Sequence, residues 1–494
     1  MKMGRVITLG LAVLATAVVV TAAFADRVSS AAPKRPNIIL ILTDDLSWNL
    51  VRFMPNVKRM QREGATFDHY YVTDSLCCPS RASIFTGKFP HNTGIFTNGG
   101  REGGFHLFHS RGEEKSTFAT HLQSAGYFTG MMGKYMNGYK PIGVVDGAPA
   151  YIPPGWNEWD VAGNAYANYD YLLNENGALV HYAHQPSDYL TDVLAQKGSQ
   201  FIARAAIEER KPFMLEIATF TPHSPYTAAI RHLGDFPTLR APRTPAFDEP
   251  DLSDKPRWLR NHSTLRSVTV ANIDAGFRKR AQSVEAIDEL LGRLQETLRA
   301  TRQLSNTYIF FTSDNGYHMG EHRLAAGKQT AFETDIHVPL IVTGPGMVRG
   351  TTLKSLASNI DLFPTFARLA GTAVPPAVDG RSVAPLLRGT RVKGWRKAVL
   401  VEHRGPDRTR NDPDFPGPYA GNPASYEAVR TANGTYVEYV NGDLEYYDMN
   451  KDKYQLNNSA ALLTNASHNQ LHARVAALSS CRGGVECWKA AGGS

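Results

Sequence analysis

The stretch Leu76-Cys77-Cys78-Pro79-Ser80-Arg81 places two thiols and a guanidinium within the first turns of a predicted helix. Pro79 suits the first turn, where its missing N–H costs nothing. Cys77 and Cys78 then stand at the positive end of that helix, which favours anions. Arg81 adds a planar fork of donors suited to a tetrahedral oxyanion. Adjacent cysteines seldom bridge each other, so the chemistry implied is an anion site with a sulfur nucleophile or ligand inside it.

Two further stretches carry hard oxygen donors. Thr43-Asp44-Asp45 follows the apolar run Asn37–Leu42, and Ser313-Asp314-Asn315-Gly316 follows Thr307–Thr312. Both runs read as buried strands, and in open α/β sheets ligands bind beyond the carboxyl ends of the strands. Three carboxylates and one amide suit Ca2+ or Mg2+ rather than a soft metal. An aspartate pair in a solvated turn is the plainer reading of either stretch taken alone. Other strand ends deliver nitrogen. Tyr127–Met132 leads to Gly133-Lys134-Tyr135, and Pro212–Phe220 leads to Thr221-Pro222-His223-Ser224-Pro225. A histidine held between prolines at a strand end is well placed as a general acid. His318, His322 and Lys328 follow Asn315 closely; a structural role for His318 stands level with a substrate contact.

The elements that must position these residues fit in a chain of 494 residues, enough for one large domain and a smaller one. A hydrophobic share of 42% with 20% charged residues is that of a globular protein and excludes a disordered one. The net charge of +7 and pI near 9.0 mildly suit an anionic substrate, although surplus surface Lys and Arg explain them equally simply. No arginine-rich run points to nucleic acid.

Lys2 and Arg5 precede an apolar run from Val6 to about Ala22, and Ala23-Phe24-Ala25 offers a small-x-small cleavage site. Residues 1–25 therefore read as a secretory signal peptide, with an uncleaved anchor as the alternative. Its removal lowers the charge from +7 to +5. No second such run appears, so no membrane span is expected after cleavage, and the mature chain is expected to be secreted or held in the cell envelope. Export favours a small disulfide loop between Cys481 and Cys487; a metal pair there would lack its second pair of ligands.

Residues 138–190 are rich in Gly, Pro, Tyr and Asn, with weak periodicity, and 227–266 are rich in proline; both read as long loops. Val284, Ile287, Leu290, Leu291, Leu294 and Leu298 recur at helical spacing. Near the C-terminus, Tyr426–Arg430 and Thr435–Val440 flank Ala432-Asn433-Gly434, a hairpin signal, and Leu471, Val475 and Leu478 mark one apolar helix face. Residues 33–390 are thus read as the catalytic domain and 391–494 as a smaller C-terminal α+β subdomain.

Cys77-x-Pro79-Ser80-Arg81 with Thr86-Gly87 resembles the signature of the type I sulfatases. The continuation Gly87-Lys88-Phe89-Pro90-His91-Asn92 is most similar to the N-acetylglucosamine-6-sulfatases and extracellular endosulfatases. The resemblance implies an alkaline-phosphatase-like α/β fold, a large mixed sheet flanked by helices. It implies hydrolysis of sulfate monoesters, of aryl sulfates or of a sulfated sugar such as 6-O-sulfated glucosamine. Cys77 would be converted to formylglycine by a formylglycine-generating enzyme, its aldehyde hydrate being the nucleophile. Calcium, or magnesium, would be held by Asp44, Asp45, Asp314, Asn315 and the modified Cys77. Arg81, Lys134, His223 and Lys328 would be catalytic. Lys134, His223, His318 and Lys328 would contact substrate. Many of these enzymes place a histidine two residues after the lysine matched by Lys134; this chain has Met136 there, and Asn137 takes its place beside it. A phosphonate monoester or phosphodiester hydrolase, which shares the signature, is one alternative. A secreted, inactive protein that binds sulfated glycans is another.

Overall fold

The computed structural model describes Met1, residues 35–410 and residues 412–494; the leader read at residues 1–25 lies outside them. Arg35–Ser494 form one compact unit. Its frame is a sheet of strands β1 (Asn37–Thr43), β2 (Ala65–Phe67), β3 (Phe128–Lys134), β4 (Glu158–Ala162), β5 (Tyr171–Glu175), β6 (Ala178–Tyr182), β7 (Phe213–Ala218), β8 (Thr307–Ser313), β9 (Leu340–Thr343) and β10 (Thr351–Leu353). Their spatial order is β10-β2-β9-β8-β1-β7-β3-β4-β5-β6. The middle strands β8, β1, β7, β3 and β4 are mutually parallel, and antiparallel strands flank them on both sides.

Every residue of β1 is buried, and its apolar side chains alternate between two cores. Ile38, Leu40 and Leu42 join one, Ile39 and Ile41 the other, as the two-residue period of a strand requires. The first core packs helix α1 (Cys77–Thr86), the second helices α2 (Leu190–Arg204) and α3 (Ser267–Ala300). Helix α4 (Leu362–Leu369) adds Leu362, Phe363 and Phe366 to the first core. The C-terminal part contributes a four-stranded antiparallel sheet, β11 (Ala398–His403), β12 (Tyr426–Thr431), β13 (Gly434–Tyr439) and β14 (Leu444–Asp448), covered by helix α5 (Asn465–Ser480). A disulfide joins Cys481 to Cys487 between α5 and helix α6 (Gly483–Ala490). Among the described residues no helix is long and apolar enough to cross a membrane.

One loop expectation is corrected and one helix is longer than its apolar stripe. Residues 138–190 contain β4, β5 and β6, which extend the main sheet; β6 is a largely exposed edge strand with no buried residue to mark a core-facing side. The helix marked by Val284–Leu298 starts at Ser267, and its first turns are mostly exposed, so no apolar stripe announces them.

Candidate active site

The parallel strands end at one edge, and that edge collects the residues singled out above. Asp44 and Asp45 follow β1, Asp314 and Asn315 follow β8, Lys134 closes β3, and His223 stands on the turn after β7. Helix α1 brings Cys77 and Arg81 to the same place. All ten of its residues are buried, so this helix has no solvent-facing side. It ends at Gly87, whose φ of 68° lets its N–H cap the Ser83 carbonyl in a left-handed turn.

Arg81 is locked into this edge. Its Nε and Nη2 both lie 2.8 Å from Asp314 Oδ2, and Nη1 donates to the Lys134 carbonyl at 2.8 Å. Burial disfavours the Arg81 charge, but Asp314 and Asp44 outweigh it and keep the guanidinium firmly protonated. Lys134 Nζ lies 2.5 Å from Asp44 Oδ2, and Lys328 Nζ lies 2.7 Å from Asp45 Oδ1 and 2.9 Å from Cys77 Sγ. Burial would raise the Asp44 carboxyl; Lys134, His223, Arg81 and Lys328 together hold it well below the usual range. Asp314 goes the other way: burial, then the charge of Asp44, push it up to about 6.

The Cys77 thiol is fully buried, 3.4 Å from Asp44 Oδ1 and 3.3 Å from Asp414 Oδ2. Burial and these two carboxylates push its pKa well up, so as a thiol it stays protonated. Cys78 turns the other way, into the first core, and its backbone N–H donates to Asn98 Oδ1 at 3.0 Å.

The donor set suits a hard cation. Ligand atoms of Asp44, Asp45, Cys77 and His223 all lie within 4.8 Å of one another. Asp45 Oδ2 and Asn315 Oδ1 are buried without any hydrogen-bond partner, an arrangement that costs free energy unless something binds them. Asn315 Nδ2 meanwhile donates to Asp45 Oδ1 at 2.6 Å, which aims both oxygens at one region.

Two residues depart from expectation. His318 is buried but outside this cluster: Nδ1 lies 3.0 Å from both oxygens of Asp335 and Nε2 lies 3.0 Å from the Ala420 carbonyl, so both ring nitrogens are occupied in holding the loop. Asn137 bonds to the Tyr166 hydroxyl at 3.4 Å, and the Tyr166 ring lies 5.0 Å from Lys134 Nζ and 4.4 Å from the His223 ring. Met136 is core.

Asp414 is the residue that the sequence alone does not reveal. It sits in the long segment between β11 and β12, where Asp412-Pro413-Asp414 signals only a turn. Its Oδ1 lies 2.6 Å from His223 Nε2 and 2.7 Å from Lys328 Nζ, and Asn98 Nδ2 donates to Oδ2 at 2.7 Å. Burial opposes its charge, but Lys328 and His223 hold its pKa well below the ordinary value. His223 donates through Nδ1 to the Ser224 carbonyl at 2.7 Å and through Nε2 to Asp414, so the ring is protonated at both nitrogens. Burial works against that charge, while Asp414, Asp45 and Asp44 raise the pKa. The Asp414 carboxylate thus lies among the donors that a bound oxyanion would use.

Residues 36–372 match the sequence model of the sulfatase family, and residues 320–480 that of the C-terminal region of N-sulphoglucosamine sulphohydrolase. Human N-acetylglucosamine-6-sulfatase is 36% identical over 482 residues, covering 92% of this chain and 86% of that protein. A Drosophila melanogaster extracellular sulfatase SULF-1 homolog is 36% identical over 389 residues, 76% of this chain and 34% of its own length. A protein solved in complex with its substrate D-glucosamine-2-N,6-O-disulfate superposes with a TM-score of 0.70 at 26% identity, over 89% of this chain and 96% of that one. The phosphonate monoester hydrolase of Agrobacterium radiobacter shares the fold, with a TM-score of 0.66 at 20% identity over 86% and 92% of the two chains.

Proposed function

The chain belongs to the sulfatase family and is a sulfuric ester hydrolase, and on that premise we propose that it releases sulfate from a sulfated sugar of the 6-O-sulfated glucosamine type, outside the cytoplasm. The observation that carries the reading is the packing of Arg81, Lys134 and Lys328 around Cys77, against the oxygens of Asp44, Asp45, Asp314 and Asn315. Three fixed cations beside one reactive position suit an oxyanion ester and no neutral substrate. The names of the relatives support the sugar, and the leader-like N-terminus together with extracellular relatives supports export.

Asp44, Asp45, Asp314 and Asn315, with an oxygen at position 77, would hold a calcium or magnesium ion. Bound there, such an ion supplies positive charge against the ester oxygens. Formylglycine formed from Cys77 would supply a hydrated aldehyde, an oxygen nucleophile with a second hydroxyl through which the aldehyde is restored. A thiol held protonated in this pocket is a poor nucleophile, which favours such a conversion.

The rest falls to unmodified side chains. Lys328, beside residue 77, and Lys134, paired with Asp44, would orient the sulfate oxygens there. Arg81 fixes Asp314 and the end of β3 and thereby sets the spacing of the pocket. His223 carries a proton on Nε2, positioned for the oxygen of the departing sugar alcohol. Asp414 occupies Lys328 and His223 when no ester is bound and has to give way to the sulfate. The residues 33–390 would then carry the chemistry, and residues 391–494 would supply this carboxylate.

The test compares release of sulfate from N-acetylglucosamine-6-sulfate and from nitrophenyl sulfate with hydrolysis of a nitrophenyl phosphonate monoester. Sulfate release from the sugar, with little turnover of the phosphonate, is expected. Preference for the phosphonate would overturn the reading.

A further inference from the structure

A cavity of about 640 Å3 lies away from the active site and shares no residue with it. It is walled by α4, by the segment from Thr372 to Ser382, by Trp395 and by the start of α6. Three arginines reach it from three separate stretches of chain: Arg368 on α4, Arg381 in the Asp379-Gly380-Arg381-Ser382 motif, and Arg482 just before α6. All three are exposed, and no carboxylate lines the cavity.

Among the described residues none of the three guanidinium groups forms an ion pair, although the structure pairs many other arginines. Glu486, four residues after Arg482, accepts from the Arg482 backbone N–H at 3.3 Å and does not pair with its guanidinium, and the acids near Arg368 and Arg381 are spent elsewhere. Asp361 accepts from the Ser358 and Arg381 backbone N–H groups and pairs with Arg396 at 2.5 Å. Asp379 accepts from the Phe89 and Gly483 N–H groups and from Asn92. Three like charges converging on one cavity repel each other, and a partner anion from outside relieves that cost.

The walls favour a sugar as the carrier of that anion. The Arg381 guanidinium lies 4.2 Å from the Trp488 ring centre, and Trp488 packs edge-on against Trp395 at 5.1 Å. This cation–π contact positions Arg381 at the cavity and leaves its N–H donors available. Val378 and the Pro375-Pro376 pair give an apolar wall for a ring face, and the cavity has the size of a small-ligand site.

We propose that this cavity is a second, non-catalytic site that binds a sulfated sugar unit, its sulfate groups held by Arg368, Arg381 and Arg482. The proposal rests on the reading that the substrate is a sulfated sugar, and it assigns the enzyme an attachment point on chains longer than one unit.

The experiment is titration calorimetry on the full chain carrying Cys77→Ala, with a fully sulfated heparin tetrasaccharide and its unsulfated counterpart as probes. No binding of the unsulfated probe is expected, and two bound copies of the sulfated probe per chain, one of them through binding in this cavity. Arg368→Glu with Arg482→Glu should weaken that binding by at least about tenfold, because each turns an attraction into a repulsion. Both positions are exposed, so this pair also decides the matter if Arg381→Gln disturbs the Trp488 packing. The same pair in the unmutated Cys77 background should turn over nitrophenyl sulfate at the normal rate. Equal binding by the charge-reversed pair, a single bound copy of the sulfated probe per chain, or equal binding of the unsulfated probe would overturn the proposal. Failure of the sulfated-sugar reading shows separately, as no sulfate release from N-acetylglucosamine-6-sulfate by the unaltered enzyme.

Discussion

Asp414 Oδ1 lies 2.6 Å from His223 Nε2, joining a carboxylate of the C-terminal part to the histidine at the end of β7. The same oxygen meets Lys328 Nζ at 2.7 Å, so one aspartate engages two of the groups proposed to receive the substrate. A bound monoester must displace this carboxylate or accept its repulsion.

Asp414→Asn should therefore lower KM for nitrophenyl sulfate by roughly three- to tenfold with little change in kcat, since it removes like charge from the binding step. Steady-state kinetics checks this. A fall in kcat at unchanged KM would instead make Asp414 a positioning group for His223.

Calcium content and activity should fall together in Asp314→Ala. The substitution removes a hard donor and also leaves Arg81 without the carboxylate at 2.8 Å that balances it. Metal per chain, measured by atomic emission, should drop below that of the unaltered protein, and kcat/KM should drop by roughly a thousandfold or more. Full turnover by chelator-treated enzyme would refute a cation at this place.

Beneath Arg81, Glu216 on β7 is fully buried and neither of its carboxylate oxygens has a partner. Burial pushes its pKa up to about 8, and only Arg81 pulls the other way. The folded chain therefore keeps a proton that the unfolded chain loses near the usual glutamate pKa of about 4.3. Stability falls as pH rises from there to about 8, where the folded group also ionises. Glu216→Gln, which copies the protonated form, should match the wild type near pH 5 and exceed its Tm at pH 8, by on the order of a few degrees. Melting curves at the two pH values decide it; equal Tm differences at both would show that Glu216 is not protonated in the folded state.

Much of this site is legible without coordinates because its parts sit at the ends of strongly apolar strands. Asp44, Asp45, Asp314 and Asn315 each follow a run that has to be buried, and polar groups placed there face the sheet edge where ligands bind. Lys134 and His223 obey the same rule. Asp414 follows no strand; it reaches Cys77 only because the β11–β12 connection folds back over α1, and nothing local encodes that path. His318, whose structural role stands level with a substrate contact in the sequence, shows what coordinates add. Its position between Asn315 and Lys328 invites a role with substrate, but Asp335 captures its ring. The strands β4 to β6 escape notice for a third reason: β4 gains its order from parallel pairing with β3, and β5 and β6 from antiparallel pairing onto β4, not from a pattern of their own.

The two adjacent cysteines separate most sharply. Cys77 Sγ lies 2.9 Å from Lys328 Nζ and within 3.4 Å of Asp44, whereas Cys78 is packed in the first core with its thiol pushed up to about 12. The signature spacing, one residue before Pro79, also selects Cys77. Cys77→Ala should abolish sulfate release and labelling by an aldehyde-reactive probe while the chain stays folded, because a short buried side chain is exchanged for a shorter one. Cys78→Ala should keep the aldehyde and most of the activity, at a cost of about 1 kcal/mol in stability from the lost packing. Cys77→Ser tests whether conversion needs a thiol: labelling is lost if it does. Mass spectrometry of the peptide carrying both positions, beside sulfate release by each variant, measures all of this. An aldehyde on residue 78, or sustained turnover by Cys77→Ala, would falsify the assignment of the nucleophile and move the reacting centre away from Lys328.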